Sequence, residues 1–240
     1  MNLNQGKIIS HYNEAKRILK KMELHFEEDF SKARSLNKKD FSKEFFKKSI
    51  TDAPYHELYK TMRDYSDYNL FLPSNGSIFQ FSSEEKKGST ELRYAYYESP
   101  FEQKNYEEFL IELGFSYSDV GDEFIEDYQQ YITENNLKDS ITNIRYDYSE
   151  QQYKELIHPT SHLHIGQKNN IRLPLSYVML PSNFVAFILK NFYWEKWKFF
   201  IDSEKNKEHY LKLCKAKEHT PATYFSYMDQ KDLCIYVKDD

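Results

Sequence analysis

The sequence predicts an α+β fold with a helical N-terminal third, a central antiparallel sheet and a long apolar C-terminal helix packed on the sheet. The hydrophobic pattern has a helical period at the start of the chain, alternates as in strands in the middle, and becomes helical again. The 240 residues suffice for a substantial core, and no internal repeat or low-complexity linker interrupts them. We therefore expect one domain over residues 1–240, with 1–65 as a mainly helical subregion.

The N-terminal helices are predicted from apolar residues that recur at spacings of three and four. Residues 3–35 carry this amphipathic pattern, with lysines between the apolar positions. A second, shorter helix is predicted at 41–48. A third is predicted at 55–65, where Pro54 is tolerated because it lies near the first turn.

The middle of the chain alternates between apolar and polar residues. The predicted elements, in order, are strands 77–82 and 90–97, helices 106–113 and 123–135, and strands 142–148, 162–165 and 171–173. A polar connection with Gly88 joins the first two strands, and Gly114 is expected to end the first helix. The last three strands have brief connections, so we expect them to be antiparallel neighbours in one sheet.

The C-terminal part is predicted to begin with a helix over 183–200, the most apolar of the chain, with Ser182 in position to cap it. Its apolar stripe contains Phe184, Phe187, Ile188 and Phe192. A further helix is predicted at 205–217. Segments 223–228 and 233–237 are expected to form a closing hairpin.

Composition and charge exclude several classes of protein. A formal net charge of −5 disfavours general electrostatic capture of nucleic acid. Cys214 and Cys234, the only cysteines, lack CxxC spacing, which excludes a zinc ribbon and a disulfide scaffold and suits a reducing compartment. The start shows no signal-peptide pattern, and the apolar run 184–189 is too short for a membrane span. We expect a cytoplasmic protein without a membrane partner.

Three of the eight histidines lie within seven positions, at His158, His162 and His164. In a strand, His162 and His164 point to the same face, with Cβ atoms about 6.6 Å apart. Two imidazoles at this separation can bind one metal ion, and His158, in the preceding connection, is a candidate third ligand. The set His158, His162 and His164 is therefore a candidate site for a divalent metal ion.

Other polar side chains are expected on the same face of the sheet as these imidazoles. The predicted polar face carries Arg93, Arg145, Asp147, His162, His164 and Arg172. Histidine, carboxylate and arginine together suit phosphodiester chemistry, because imidazoles move protons or bind metal and guanidinium groups stabilise anionic oxygens. The alternative is a solvated or structural role, since an exposed sheet face is polar by default and His-x-His has low specificity.

The residues from Arg145 to Gly166, together with Arg172 and the segment 184–193, resemble a bacterial protein family, the domain of unknown function 2290. The resemblance covers most of the chain and is concentrated in its C-terminal half. It implies a bacterial cytoplasmic protein and brings no settled activity. An Arg-x-Asp strand followed by a His-x-His strand is also similar to small nuclease-type domains of phage-defence and toxin–antitoxin operons.

Two functions remain open at this point. The first is a phosphodiester-cleaving hydrolase directed at RNA or single-stranded nucleic acid, a nuclease of defence or toxin type with or without a divalent metal ion. Its candidate catalytic residues are His162, His164, Asp147, Arg145 and Arg172. The second is a non-catalytic accessory or antitoxin-like subunit that binds a partner protein from the same operon, a function that the acidic net charge fits. The sequence leaves open whether the protein is an enzyme.

Overall fold

A computed structural model describes residues 3–86, 88–101, 106–134, 137–167, 169 and 171–232. The helices are α1 (Gln5–Lys21), α2 (Phe30–Ser35), α3 (Lys43–Ile50), α4 (Tyr55–Asp64), α5 (Tyr106–Glu112), α6 (Tyr117–Val120), α7 (Ile125–Glu134), α8 (Pro181–Phe192), α9 (Trp194–Asp202), α10 (Glu204–Lys215) and α11 (Tyr227–Asp232). The strands are β1 (Glu27–Glu28), β2 (Leu70–Leu72), β3 (Ser77–Lys86), β4 (Ser89–Tyr97), β5 (Ile144–Tyr148), β6 (Ser161–Ile165), β7 (Leu173–Pro174), β8 (Tyr177–Val178) and β9 (Glu218–His219).

The central antiparallel sheet is confirmed. Within the described ranges it has seven strands, and their spatial order β1-β2-β3-β4-β5-β6-β7 follows the order along the chain. Each strand is antiparallel to its neighbour. The short strands β1 and β2, and the separate pair β8–β9, were not predicted. Because consecutive strands are neighbours, polar residues of β4, β5 and β6 lie side by side.

One face of the sheet packs against helices α1 and α8 and forms the main core. Buried aromatic and aliphatic side chains of β3, β4, β5 and β6 supply this face: Phe79, Phe81, Leu92, Tyr94, Tyr96, Ile144, Tyr146, Tyr148 and Leu163. On α8, Phe184 contacts the rings of Phe79, Phe81 and Tyr94, with centroids 5.8–6.5 Å apart. The abundance of aromatic residues is therefore used, in these strands, to fill the core.

The opposite face of the sheet is divided between a second apolar cluster and a polar region. Helices α3 and α4 pack Phe45, Leu58 and Met62 against Phe71 of β2 and Ile78 of β3. The polar region lies further along the same face, on β4, β5 and β6. The side chains of this region are those that the strand alternation predicted on the face opposite the core.

The N-terminal segment 3–35 is not one continuous helix. Helix α1 ends at Lys21, Glu23 adopts a positive φ of 54°, and β1 pairs with β2 before α2 begins. The pairing of Glu28 with Leu70 requires an extended chain here. The helical hydrophobic pattern of residues 3–35 does not report this contact, because Leu70 is distant in the sequence. The helices predicted at 41–48 and 55–65 are confirmed as α3 and α4, and Ser42 caps α3 by accepting a hydrogen bond from Phe45 N–H.

The prediction of one long apolar C-terminal helix is wrong, because the chain breaks at Tyr193 into α8 and α9. Tyr193 has φ −126° and ψ 46°, outside the helical region. Its hydroxyl accepts a hydrogen bond from Asn75 Nδ2 at 2.9 Å, next to the turn between β2 and β3. A hydrogen bond to a turn that is distant in the sequence thus accompanies the break. The helix α8 has 12 residues and ends at Phe192.

The remaining C-terminal prediction is also corrected in part. The structure has α11 at Tyr227–Asp232 where the sequence predicted a strand over 223–228. Asp229 accepts hydrogen bonds from the N–H groups of Ser226 and Leu156, which hold the start of this helix against the loop after β5. The partner segment 233–237 lies outside the described residues. None of the described helices has the length and apolar character needed to span a membrane.

Candidate functional site

The candidate site is built on β5 and β6, whose register is fixed by the antiparallel pairing. Along β5, Ile144, Tyr146 and Tyr148 are buried in the core while Arg145 and Asp147 point the other way. Arg145 is directly opposite His164 on β6, and Asp147 is directly opposite His162. The alternation predicted from the sequence therefore gives one cluster of four polar side chains.

Asp147 is the centre of the charge arrangement. Arg93 Nε–H donates to Oδ1 at 2.9 Å, Arg145 Nε–H donates to Oδ2 at 3.0 Å, and His164 Nε2 lies 3.3 Å from Oδ2. Burial alone would raise the pKa of Asp147. The hydrogen bond to His164 and the charges of both arginines outweigh it and hold the pKa well below its usual value. Asp147 is therefore a carboxylate at neutral pH.

His162 is oriented by a backbone carbonyl. Its Nδ1 lies 2.8 Å from Pro159 O, an atom that can only accept, so the ring proton sits on Nδ1 and Nε2 carries a lone pair. That Nε2 is 3.0 Å from His164 Nε2. Burial, together with the neighbouring imidazoles, lowers the pKa of His162 to about 4 although the charge of Asp147 opposes this. His162 is therefore neutral at pH 7.

His164 connects the two halves of the cluster through one atom. Its Nε2 faces both the bare nitrogen of His162 and the carboxylate of Asp147. An Nε2–H of His164 would therefore be shared between two acceptors. Both imidazoles are nearly enclosed, with 2% of His162 and 7% of His164 exposed, whereas the arginine side chains on the carboxylate are half-exposed.

The structure places His158 and Arg172 to one side of this cluster. The ring of His158 is perpendicular to that of His162, with centroids 5.0 Å apart, and its Nδ1 is buried without a hydrogen-bond partner. Burial and the charge of Arg172 lower the pKa of His158. Arg172 is exposed just before β7 and acts electrostatically on His158. The sequence-predicted residues are thus adjacent. Hydrogen bonds and ion pairs join Arg145, Asp147, His162 and His164, whereas His158 meets this group through its ring contact with His162.

Two contributors were missing from the predicted catalytic set. Arg93 was expected on the polar face but not among the catalytic residues. The β4–β5 register places it opposite Asp147, which is 54 positions further along the chain. The carbonyl of Pro159 had no sequence signal, because every residue has such an oxygen. A small cavity beside Asp147 and Arg93 continues the polar face towards Ser82 and Glu91.

A loop and a helix support the histidines from outside the sheet. Asp229 accepts hydrogen bonds from Tyr153 Oη at 2.7 Å and Leu156 N–H at 2.9 Å, in the loop between β5 and β6. Thr160 Oγ1 donates to Tyr224 O at 3.0 Å. These contacts fix the loop that carries His158 and the Pro159 carbonyl.

A known protein family matches most of the chain. Residues 23–227 match the model of the family described as "Uncharacterized conserved protein (DUF2290)". The chain belongs to this family. The DUF2290 match contains every residue of the candidate site, from Arg93 on β4 to Arg172 before β7. Searches of the curated proteins and of the solved structures give no match.

Proposed function

We propose that this protein cleaves phosphodiester bonds in RNA. The observation that carries the proposal is the convergence of Asp147, His162 and His164 beside the half-exposed guanidinium groups of Arg93 and Arg145. Two imidazole nitrogens 3.0 Å apart and a carboxylate oxygen 3.3 Å from one of them form a compact reactive centre. The two arginines provide positive charge for binding an anion at the surface next to this centre.

The chemistry of phosphoryl transfer matches these groups. The attacking oxygen must lose a proton, the leaving oxygen must gain one, and negative charge develops on the phosphoryl oxygens between them. An imidazole–carboxylate centre serves the proton transfers near neutral pH, and guanidinium groups stabilise the charge. The bonds to Asp147 use the Nε–H of Arg93 and Arg145, and each guanidinium has four further N–H groups with which to bind a phosphate.

RNA is the favoured substrate because it contains its own nucleophile. The 2′-oxygen forms a bond to the adjacent phosphorus and gives up its proton to the site. The bond from phosphorus to the 5′-oxygen breaks, and that oxygen takes up a proton. The products are a 2′,3′-cyclic phosphate and a 5′-hydroxyl. The exposed Arg172, whose charge acts on His158, would bind a neighbouring phosphate. The proposed setting, a bacterial phage-defence or toxin–antitoxin system in the cytoplasm, rests on the similarity of the Arg-x-Asp and His-x-His strands to such nucleases.

A non-catalytic accessory subunit is the second candidate, and two observations favour it. The imidazoles of His162 and His164 are almost fully enclosed, as in a structural network. Helix α9 also exposes large apolar side chains, with 80% of Phe199 and 54% of Trp194 accessible, which suits contact with a partner protein. Under this function the polar cluster would stabilise the sheet and α9 would bind the partner.

A cleavage assay with matched variants tests the proposal. His162→Asn keeps an amide N–H near the position of Nδ1, for the Pro159 carbonyl, but removes the Nε2 atom. The exposed His25 gives the control variant His25→Asn. We expect the wild type and His25→Asn to cleave labelled single-stranded RNA but not its 2′-O-methyl form. The variant His162→Asn should be slower by about 100-fold or more, the range for loss of a proton-transfer group.

Two results would overturn the proposal. One is wild-type protein that leaves RNA intact under all divalent-metal and metal-free conditions. The other is cleavage by His162→Asn at the wild-type rate, which would show that the activity comes from elsewhere. With either result, the accessory function becomes the better account of the polar cluster.

A further inference from the structure

The geometry points to a divalent transition-metal ion of the zinc class, bound by Asp147 Oδ2, His162 Nε2 and His164 Nε2. This inference deepens the proposed function and rests on it for what the ion does, but not for whether the ion binds. It differs from the sequence-based ligand set in one position, because Asp147 takes the place of His158. The three donor atoms have the spacing, the orientation and the chemical type of ligands to such an ion.

The donor atoms are spaced as ligands of one ion. The two Nε2 atoms are 3.0 Å apart, His164 Nε2 is 3.3 Å from Asp147 Oδ2, and each of the three residues offers a ligand atom within 4.8 Å of the others. Ligands about 2.0–2.1 Å from a tetrahedral ion stand about 3.3 Å from one another. Asp147 and His162 face each other across β5 and β6. Their ligand atoms lie within 4.8 Å of each other, so a closure of up to about 1.5 Å would complete this triangle.

The orientation of His162 is that of a metal-binding imidazole. Histidine ligands generally donate their second ring N–H to a carbonyl or carboxylate, which fixes the tautomer and directs the other nitrogen at the ion. His162 Nδ1 and Pro159 O, 2.8 Å apart, form such a bond. Without an ion, the facing nitrogens of His162 and His164 share a single proton. With an ion between them, both lone pairs are used.

Asp147 also has the surroundings of a ligating carboxylate. Such carboxylates are themselves hydrogen-bonded, and Asp147 accepts one bond from Arg93 on Oδ1 and one from Arg145 on Oδ2. Each carboxylate oxygen has two lone pairs, so Oδ2 can bind the ion while it accepts from Arg145. The two guanidinium charges lower the affinity for a cation, and they favour an anionic phosphate as a further ligand.

Two imidazoles and one carboxylate favour a transition metal over magnesium or calcium, which prefer sites made of oxygen atoms. Three protein ligands leave at least one coordination position open, as in catalytic zinc sites. With both Nε2 atoms bound, an ion there would take over the part of the imidazoles in deprotonation, because it would lower the pKa of a bound water or ribose hydroxyl. His158, perpendicular to His162 and with an unpaired buried Nδ1, lies next to the three ligands and outside the set.

Metal binding is measured on the full chain after removal of metal with a chelator. Calorimetric titration with Zn²⁺ should show one site per chain for the wild type and for the control His25→Asn. Titration with Co²⁺ should give the visible absorption of a site with four or five ligands. Mg²⁺ should give no binding at the same concentrations.

The variants distinguish the proposed ligands from other metal-binding groups. The variants His162→Asn and Asp147→Asn should weaken Zn²⁺ binding by more than the roughly 10- to 100-fold that follows loss of an outer-shell partner. Thermal melts of each metal-free variant establish that it is folded. No Zn²⁺ binding by the wild type, or wild-type affinity in a folded His162→Asn, would overturn the inference. If one variant does not fold, the other variant still tests the ligands, and absence of Zn²⁺ binding by the wild type would overturn the inference without any variant.

Failure of the metal inference and failure of the proposed function give different results. A chain that binds one Zn²⁺ through these residues and leaves RNA intact retains the metal site and loses the nuclease function. A chain that cleaves RNA equally well in the presence and absence of chelator, and binds no Zn²⁺, retains the nuclease function and loses the metal site.

Discussion

At the level of single residues, Asp147 determines the electrostatics of the site. It is the one carboxylate that the described contacts join to two arginines and an imidazole, with only 14% of its side chain accessible. Removing its charge would leave Arg93 and Arg145 close together without the anion between them. Hydrogen bonds to charged groups contribute more to stability than neutral ones do, because the charge strengthens each bond.

We expect Asp147→Asn to lower the free energy of unfolding by about 2 kcal/mol, a magnitude typical of hydrogen bonds to charged groups. The half-exposed arginines keep the loss below that of a fully buried ion pair. Chemical denaturation at pH 7 measures it. The exposed Asp64, at the end of α4, gives the control Asp64→Asn, which should change stability by no more than about 0.5 kcal/mol. Equal stabilities of the two variants would contradict the structural role of Asp147.

Asp229 holds the loop before β6 through hydrogen bonds from Tyr153 and Leu156. Burial would raise its pKa, but the hydrogen bonds from Tyr153, Leu156 and Ser226 outweigh burial and lower the pKa. A lowered folded-state pKa contributes stability above the unfolded value, about 4, and this contribution disappears as the pH falls through the folded-state pKa. Asp229→Asn lacks this contribution at every pH.

Unfolding curves of the wild type and Asp229→Asn, recorded from pH 7 to pH 3, test this prediction. The variant should be less stable by about 1–3 kcal/mol at pH 7, and the difference should shrink below about pH 4. The control is Asp232→Asn at the exposed end of α11, which should follow the wild type. A difference that stays constant down to pH 3 would exclude an ionised Asp229 as its cause.

At the level of secondary-structure elements, α8 packs in the main core, together with α1 and the apolar face of the sheet. Its residues Phe184, Val185, Ile188 and Leu189 are fully buried. The following helix α9 buries Trp197 and Phe200 and exposes Phe199. The break at Tyr193 separates these roles, and the Tyr193 hydroxyl accepts a hydrogen bond from Asn75 at this point.

We expect Phe184→Ala in α8 to lower the free energy of unfolding by about 3–5 kcal/mol, because it leaves a cavity among the rings of Phe79, Phe81 and Tyr94. Phe199→Ala in α9 makes the same chemical change at an exposed position and should stay within about 0.5 kcal/mol of the wild type. Chemical denaturation gives both values. A large loss in Phe199→Ala and none in Phe184→Ala would contradict the assignment of the two helices.

At the level of the whole molecule, one antiparallel sheet serves two purposes through its two faces. The face against α1 and α8 is apolar and buried. The other face carries the apolar cluster under α3 and α4 at one end and the Asp147 cluster at the other. Because strand side chains alternate, the same five residues of β5 contribute to the core and to the site.

Metal loading should therefore stabilise the whole fold. An ion that binds only the folded chain adds about 2.7 kcal/mol at 100 times its dissociation constant, which corresponds to a rise of roughly 5–10 °C in Tm for a protein of this size. Thermal melts with and without Zn²⁺ measure the shift, and chelator should reverse it. His162→Asn should show no shift, and an equal shift in that variant would place the bound ion at other residues.

The sequence determined much of the fold because helix and strand periods are properties of the local backbone. The local pattern predicted α3, α4, α5, α7 and α10 close to their observed bounds, together with strands β3 to β6. It also determined that Arg145 and Asp147 share a face, and that His162 and His164 do. Each of these statements concerns residues of the same strand or helix, where the geometry of a few peptide units decides the outcome.

Only the tertiary structure decided how these elements meet. It set the register that puts Asp147 opposite His162, brought Arg93 to the same carboxylate, and aimed His162 with the carbonyl of Pro159. It also drew residues 27–28 into the sheet and broke the apolar helix at Tyr193. The physical reason is that these outcomes depend mainly on contacts between distant segments, whose energies outweigh the weak local preferences that a sequence pattern reports.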